Sequence, residues 1–349
     1  MITAILSIHK NMESRFPFTF FPNGWFRVAY SDELPINKVQ PLHYFGRDLV
    51  LFRSEDGVAH VMDAHCPHLG AHLGYGGSVK GETIQCPFHG WCFDKEGRCV
   101  DIPYTNKIPS KAQLKPWDVQ EVNGLILVWY HAQKEPPTWE IPELAEYNSS
   151  EWTPFHLVGK WKIRSHIQEI NENAVDTAHL QFIHQVYSAQ AVAFEQNGAI
   201  LRWLCHTKDK LTSDTGAIAE VINQLKFTYY GLGYVLQHFY PGAPFQPGVM
   251  FRQEFINFNF STPIDQDYVE THQLTSFKKP VNQRYTSDLE TKMLEILTIE
   301  SEKDIPILEN KIYRNSPLIC NGDGPIMQYR RWASQFYTCQ TPTKVLTTK

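Results

Sequence analysis

Two short turns constrain this chain more than any other part of it. Cys66-Pro67-His68-Leu69-Gly70 and Cys86-Pro87-Phe88-His89-Gly90-Trp91 each pair one cysteine with one histidine, and 17 residues separate His68 from Cys86. Both stretches are rich in Gly and Pro, so they read as turns that hold their side chains outward. Together they offer two thiolates and two imidazoles.

Zinc accepts such a donor set in a tetrahedron, but Cys2His2 zinc sites group like with like, C-x2-4-C and then H-x3-5-H. Here each turn contributes one ligand of each kind. A Rieske [2Fe-2S] centre needs that mixture, because one iron takes two Cys and the other two His. Cys66 and Cys86 are therefore assigned to one iron, and His68 and His89 to the other.

At 349 residues the chain is long enough for two domains with cores of their own. Its 42% hydrophobic and 20% charged residues are those of an ordinary soluble protein, and a net charge of −5 gives no reason to expect nucleic acid. Of seven cysteines, two are assigned to iron; Cys92, Cys99, Cys205, Cys320 and Cys339 are scattered and read as reduced, which points to the cytosol. Cys92, next to Trp91, reads first as an inert packing residue and second as a redox-sensitive thiol. The N-terminus lacks the basic start and the small-residue cleavage site of a signal peptide. No run of 18 apolar residues is present, so no transmembrane segment is expected.

Residues 1–35, with Phe16, Phe18, Phe20, Phe21 and Trp25, read as an arm that packs on the body. Residues 36–135 show short strands bounded by Gly, Asp and Asn, among them Leu49-Val50-Leu51-Phe52 and Leu125-Ile126-Leu127-Val128-Trp129, which predict a small antiparallel β domain with the metal turns at its tips. A Pro-rich stretch, 136–152, reads as a linker to a second domain over 153–349. In that half, Tyr234-Val235-Leu236-Gln237-His238-Phe239 and Val249-Met250-Phe251-Arg252 look like strands, and 241–248 looks like a loop near a pocket. His238 and His272 read as strand residues rather than ligands. Residues 282–312 predict a helix, with Leu289, Met293, Ile296 and Leu297 at helical spacing.

A second constellation lies between 165 and 184: His166, Glu169, Asn171, Glu172, Asn173, Asp176, His179 and His184. Ala174–Ile183 has no Gly or Pro and can be helical, with Asp176 and His179 on one face at i and i+3. His184 would lie about 140° round an ideal helix from His179. To aim both imidazoles at one metal, the helix must end or bulge between them. Two His and a carboxylate with open positions opposite form the facial triad of non-haem Fe(II) oxygenases. Spacing alone leaves the carboxylate open among Glu300, Glu302 and Asp304.

The chain resembles the α-subunit of Rieske non-haem iron oxygenases over nearly its whole length. More narrowly it resembles the branch containing 3-ketosteroid 9α-hydroxylase and the cholesterol 7-desaturases. The likeness rests on Phe21-Pro22-Asn23-Gly24-Trp25, Tyr44-Phe45-Gly46-Arg47-Asp48, the run from Asp63 through Cys66 and His68 to His72, the run from Asn173 through Asp176 to His179, and Asp323-Gly324-Pro325-Ile326. It implies an α+β chain, an N-terminal antiparallel β Rieske domain followed by a helix-grip catalytic domain. The branch carries its carboxylate ligand in a D-I-x-I-x-x-x-K stretch, and Asp304-Ile305-Pro306-Ile307-Leu308-Glu309-Asn310-Lys311 matches it, so Asp304 is implied as third ligand to a mononuclear Fe(II) beside His179 and His184.

The resemblance further implies a head-to-tail homotrimer in which Asp176 bridges His89 of one subunit and His179 of the next, with Asn173 in the same catalytic stretch. Respiratory Rieske proteins add a disulfide and Ser and Tyr donors to the cluster. Ala71, Phe88, Trp91 and Phe93 stand at the matching positions here, which implies a potential in the lower part of the range of about −150 to +300 mV. The implied activity is oxygenation: O2 and electrons from a separate NAD(P)H-dependent flavin and iron-sulfur reductase hydroxylate or desaturate an apolar substrate, first a sterol or steroid. Residues 185–280 hold no string matched to the steroid enzymes, so a polycyclic, alicyclic or aromatic natural product stays open, as does a stand-alone electron carrier whose second half only binds a ligand. The implied location is the cytoplasm or the surface of a membrane.

Overall fold

A computed structural model describes residues 15–18, 21–212, 218–242, 253–279 and 287–338. The loop expected at 241–248 lies mostly outside these residues; the strand at 249–252, the start of the helix at 282–286, and Cys339 lie outside them altogether.

The first part of the chain forms β1 (Gly24–Tyr30), β2 (Val39–Tyr44), β3 (Arg47–Arg53), β4 (Ala59–Asp63), β5 (Ser78–Lys80), β6 (Thr83–Gln85), β7 (Cys92–Phe93), β8 (Cys99–Asp101), β9 (Pro116–Trp117), β10 (Val119–Val122) and β11 (Leu125–Tyr130). They make three small antiparallel sheets, β1-β11-β10, β2-β3-β4-β9 and β5-β6-β7-β8. The stretch read as an arm thus contributes a strand: β1 pairs with β11, Trp25 opposite Trp129. Its sequence GWFRVAY is buried on both faces, the pattern of an internal strand rather than a surface arm.

The continuous apolar run of β3 has the same explanation. Successive side chains point to opposite faces, so Val50 and Phe52 fill the interior beneath the metal turns, while Leu49 and Leu51 join the main core.

The second part forms β12 (His156–Ile163), α1 (Ile167–Asn173), α2 (Thr177–Phe182), β13 (Ser188–Asn197), β14 (Ile200–Thr212), β15 (Ile218–Tyr230), β16 (Tyr234–Tyr240), β17 (Phe255–Pro263), β18 (Val269–Phe277), α3 (Ser287–Asn310) and α4 (Ile326–Ala333). All seven strands form one antiparallel sheet, β12-β18-β17-β16-β15-β14-β13. The long helix α3 lies against it, the helix-grip arrangement: Thr298 Oγ1 donates to Val158 O at 3.0 Å and Ser301 Oγ to Gln273 Oε1 at 2.6 Å. Among its described side chains, Met293, Leu297 and Leu308 are buried.

The two parts share an interior. Phe45 and Trp117 belong to the same apolar cluster as Phe255 and Leu297. A polar cross-tie reinforces it: Arg27 of β1 reaches Glu270 of β18 at 2.5 Å, and Tyr44 donates to the same carboxylate at 2.6 Å. The Pro-rich stretch between them is strapped down as well. Trp25 Nε1 donates to Trp139 O at 2.6 Å, Gln120 Nε2 to Ile141 O at 2.7 Å, and Trp139 packs edge-on against Trp129. No helix among the described residues is long and apolar enough to cross a membrane.

Candidate active site

The two metal turns are built alike. Cys66 N–H bonds Ala71 O and Gly70 N–H bonds Cys66 O, at 2.8 and 2.9 Å; Cys86 N–H bonds Trp91 O and Gly90 N–H bonds Cys86 O, at 2.8 and 3.1 Å. Gly70 and Gly90 close the turns with φ of 78° and 71°, a conformation that disfavours side chains. At Gly90 a Cβ would also come within 2.9 Å of Pro103.

The turns bring Cys66, Cys86, His68 and His89 together. Both cysteines are buried, and burial pushes the Cys66 thiol up to about 11, with Cys86 beside it adding to the effect. The His68 and His89 rings stand 4.7 Å apart, and His68 stacks flat on Trp91. His68 Nδ1 is buried without a hydrogen-bond partner among the described residues. A buried pair of sulfurs, a pair of adjacent imidazoles and an uncommitted ring nitrogen fit the donor demand of a [2Fe-2S] cluster. Cys92 is buried and its thiol is pushed up by burial, as suits a packing residue.

The second set is assembled by two short helices and the long one. Asp176 caps α2, its Oδ1 accepting from the N–H groups of Ala178 at 3.0 Å and His179 at 3.3 Å. The helix then ends: Ile183 is its C-cap and Gln185 takes a φ of 57°. That termination falls between His179 and His184 and lets both imidazoles face one point.

His179, His184 and Asp304 each present a ligand atom, all within 4.8 Å of one another. The outer nitrogens are committed. His179 Nδ1 lies 2.5 Å from Asp176 O and His184 Nδ1 lies 3.0 Å from Glu300 Oε2, so each Nδ1 carries the proton and each Nε2 is left as the ligand atom. The tautomer of His179 is thus set by the backbone carbonyl of Asp176, not by its carboxylate.

Burial lowers the pKa of His179, which favours the neutral, metal-binding form. For His184 burial works the same way, but Asp304 and Glu300 outweigh it and the net shift is upward. Two neutral-capable imidazoles and a carboxylate are the donor set of a mononuclear Fe(II) site.

Of the three acidic candidates on α3, Glu300 and Asp304 lie one turn apart on the face toward the sheet. Glu302 is exposed and faces Trp161 Nε1 at 3.4 Å. On an ideal helix residue 302 lies about half a turn round from both, whereas 300 and 304 share a face, so spacing alone does not choose between those two.

His179, His184, Asp304 and Asn173 line a cavity of about 830 Å³ between the sheet and α3. Leu225, Phe227, Val235, Phe239 and Phe255 supply apolar wall. Sequence reading missed polar residues of this wall, among them Gln237, Asn257, Asn259 and Gln273. His238 and His272 do lie on strands and pair with Glu254 and Glu270.

Residues 24–114 match the Rieske [2Fe-2S] domain, and residues 128–337 match the 3-ketosteroid 9alpha-hydroxylase C-terminal domain. The chain is 34% identical over 345 residues to cholesterol 7-desaturase of Caenorhabditis elegans, covering 92% of this chain and 78% of that one. It is 33% identical to cholesterol 7-desaturase nvd 1 of Ciona intestinalis, with 93% and 71% covered. The oxygenase component of a 3-ketosteroid-9-alpha-monooxygenase from Rhodococcus rhodochrous is 29% identical, with 91% and 84% covered. Among solved structures, NdmA of Pseudomonas putida CBB5 with caffeine superposes with a TM-score of 0.71 at 20% identity, covering 89% of each chain. At that identity the likeness speaks for the fold. With both domain models matched in order, and with relatives above 30% identity along nearly its full length, the chain belongs to the Rieske oxygenases that carry the 3-ketosteroid 9α-hydroxylase C-terminal domain.

Proposed function

We propose that this oxygenase hydroxylates or desaturates a sterol or steroid, using O2 and electrons from a separate NAD(P)H-dependent reductase that carries flavin and iron-sulfur groups. Cys66, Cys86, His68 and His89 would hold the [2Fe-2S] cluster, and His179, His184 and Asp304 a mononuclear Fe(II). When bound, these groups supply single-electron transfer and O2 activation. The observation that carries the reading is the convergence of two histidines and a carboxylate on the wall of a largely apolar cavity. A plain electron carrier has no use for that arrangement.

The protein's own part is positioning. Asp176 O and Glu300 orient the two imidazoles. Phe227, Phe239 and Phe255 keep water from the reacting C–H bond, and Asn173 stands at the end of α1 on the same cavity wall. The sterol assignment is supported by the names of the relatives, which act on cholesterol or 3-ketosteroids.

A head-to-tail homotrimer is supported by the apolar rim around the metal turns. Leu69, Phe88 and Tyr104 are 60% exposed or more, a surface that a second copy can cover. In such a ring Asp176 would bridge to His89 of the neighbouring copy. The six described cysteines are free, which supports a reducing compartment such as the cytosol.

Metal analysis with a visible spectrum, followed by NADH consumption with a reductase and a sterol panel, tests this. About three irons per chain and sterol-dependent turnover are expected. Two irons per chain would leave an electron carrier, and turnover with no sterol or steroid would move the substrate to another polycyclic, alicyclic or aromatic compound.

A further inference from the structure

The floor of the cavity carries an amide cluster that a purely apolar substrate does not explain. Along β17 the residues alternate: Ile256, Phe258 and Phe260 pack into an apolar core on one face, while Asn257 and Asn259 face the cavity on the other. Asn257 is 2% exposed, yet its Oδ1 has no hydrogen-bond partner among the described residues. Its Nδ2 donates to Gln237 Oε1 at 3.3 Å, across the register pair Gln237 and Asn257 of β16 and β17. Two residues further along β17, Asn259 stands opposite Gln273 of β18, whose Oε1 is taken by Ser301.

Leaving a buried carbonyl oxygen unpaired is unfavourable, so such an atom in a ligand cavity marks where a ligand donates. Two amides joined by one hydrogen bond leave at least one C=O and one N–H over, whichever way the amides are turned. A hydroxyl group is the complement of that pair, because it donates and accepts at once. A ketone only accepts; it would satisfy the N–H and leave the carbonyl of Asn257 facing another acceptor.

We infer that Asn257 and Gln237 form the polar anchor of the substrate site, and that the substrate they select is an alcohol, a hydroxysteroid or sterol, rather than a ketosteroid. The inference rests on the steroid reading above and sharpens it, since the relatives divide between a sterol alcohol and 3-ketosteroids. Asn257 and Gln237 act here as specificity-determining residues; the iron ligands lie elsewhere on the cavity wall.

Equilibrium binding of cholestanol and cholestanone to the purified holoprotein tests it, since the two share one skeleton and differ only in the hydroxyl and keto groups. The alcohol should bind at least about tenfold more tightly. In Asn257→Leu, with folding checked by circular dichroism, the ratio should fall to near one through loss of alcohol affinity. Equal or tighter binding of the ketone to wild type overturns the inference and leaves the steroid reading standing, as does an unchanged ratio in folded Asn257→Leu. Binding of neither compound overturns both. The wild-type comparison decides the matter alone if the variant does not fold.

Discussion

Glu300 Oε2 receives the Nδ1 proton of His184 at 3.0 Å, and Lys303 Nζ holds the other oxygen of the same carboxylate at 2.7 Å. A histidine fixed in this way keeps its Nε2 aimed at Asp304, 3.4 Å away. Partners of this kind commonly contribute about 10- to 100-fold to metal affinity. Glu300→Ala should weaken Fe(II) binding by that order, read by titrating iron into protein stripped at the mononuclear site. Glu300→Gln keeps an acceptor oxygen and should recover part of the loss; equal affinity in all three proteins would remove the positioning role.

Asp304 is the only carboxylate among the three converging side chains. Asp304→Ala should therefore lose the mononuclear iron, bringing the content from about three irons per chain to about two, while the visible Rieske absorption persists. Loss of the Rieske spectrum in parallel would point to general unfolding instead.

Asp176→Asn separates charge from structure. Asn caps a helix about as well as Asp, and the contact to His179 Nδ1 uses the backbone carbonyl, which the substitution leaves in place. Both metal centres should remain loaded. Electron transfer between them should slow sharply if the carboxylate bridges two copies, as seen by single-turnover oxidation of the pre-reduced cluster. Normal turnover would exclude the bridge.

Glu270 gives the cross-tie between the two parts a pH signature. Burial alone would raise its carboxyl, but hydrogen bonds from His272 and Tyr44 and the charge of Arg27 overcome this and hold it at about 2. A carboxyl depressed in the folded state contributes stability above its ordinary unfolded value near 4.3 and loses it as pH falls toward 2. Urea unfolding from pH 7 to pH 3 should show wild type losing its advantage over Glu270→Gln below about pH 4.5. At pH 7 the variant should be less stable by about 2 kcal/mol, the scale of hydrogen bonds to a charged group; parallel profiles would contradict the assignment.

The four candidate cluster ligands stood out because turn chemistry is local. A Cys and a His between Gly and Pro form a pattern within a few residues, and the structure brings all four side chains together. The end of α2 between His179 and His184 was legible for a related reason, since helical geometry demanded it. The strand at 24–30 was not legible because a strand buried on both faces has no alternation to betray it, and its partner β11 comes about a hundred residues later. The amides of the cavity were hidden by the opposite effect. Polar alternation in β17 looks like a solvent-facing surface, and the helices α1, α2 and α3 across the cavity turn that face into an interior.

The continuous interior around Phe45, Trp117, Phe255 and Leu297 has a practical corollary. A protease that nicks the Pro-rich stretch near 136–152 should leave two fragments that co-elute and keep their colour, because the covalent connection is redundant with the packing around it. Grafting a foreign front half onto this back half is then less like exchanging beads on a string than like splicing two halves of one stone.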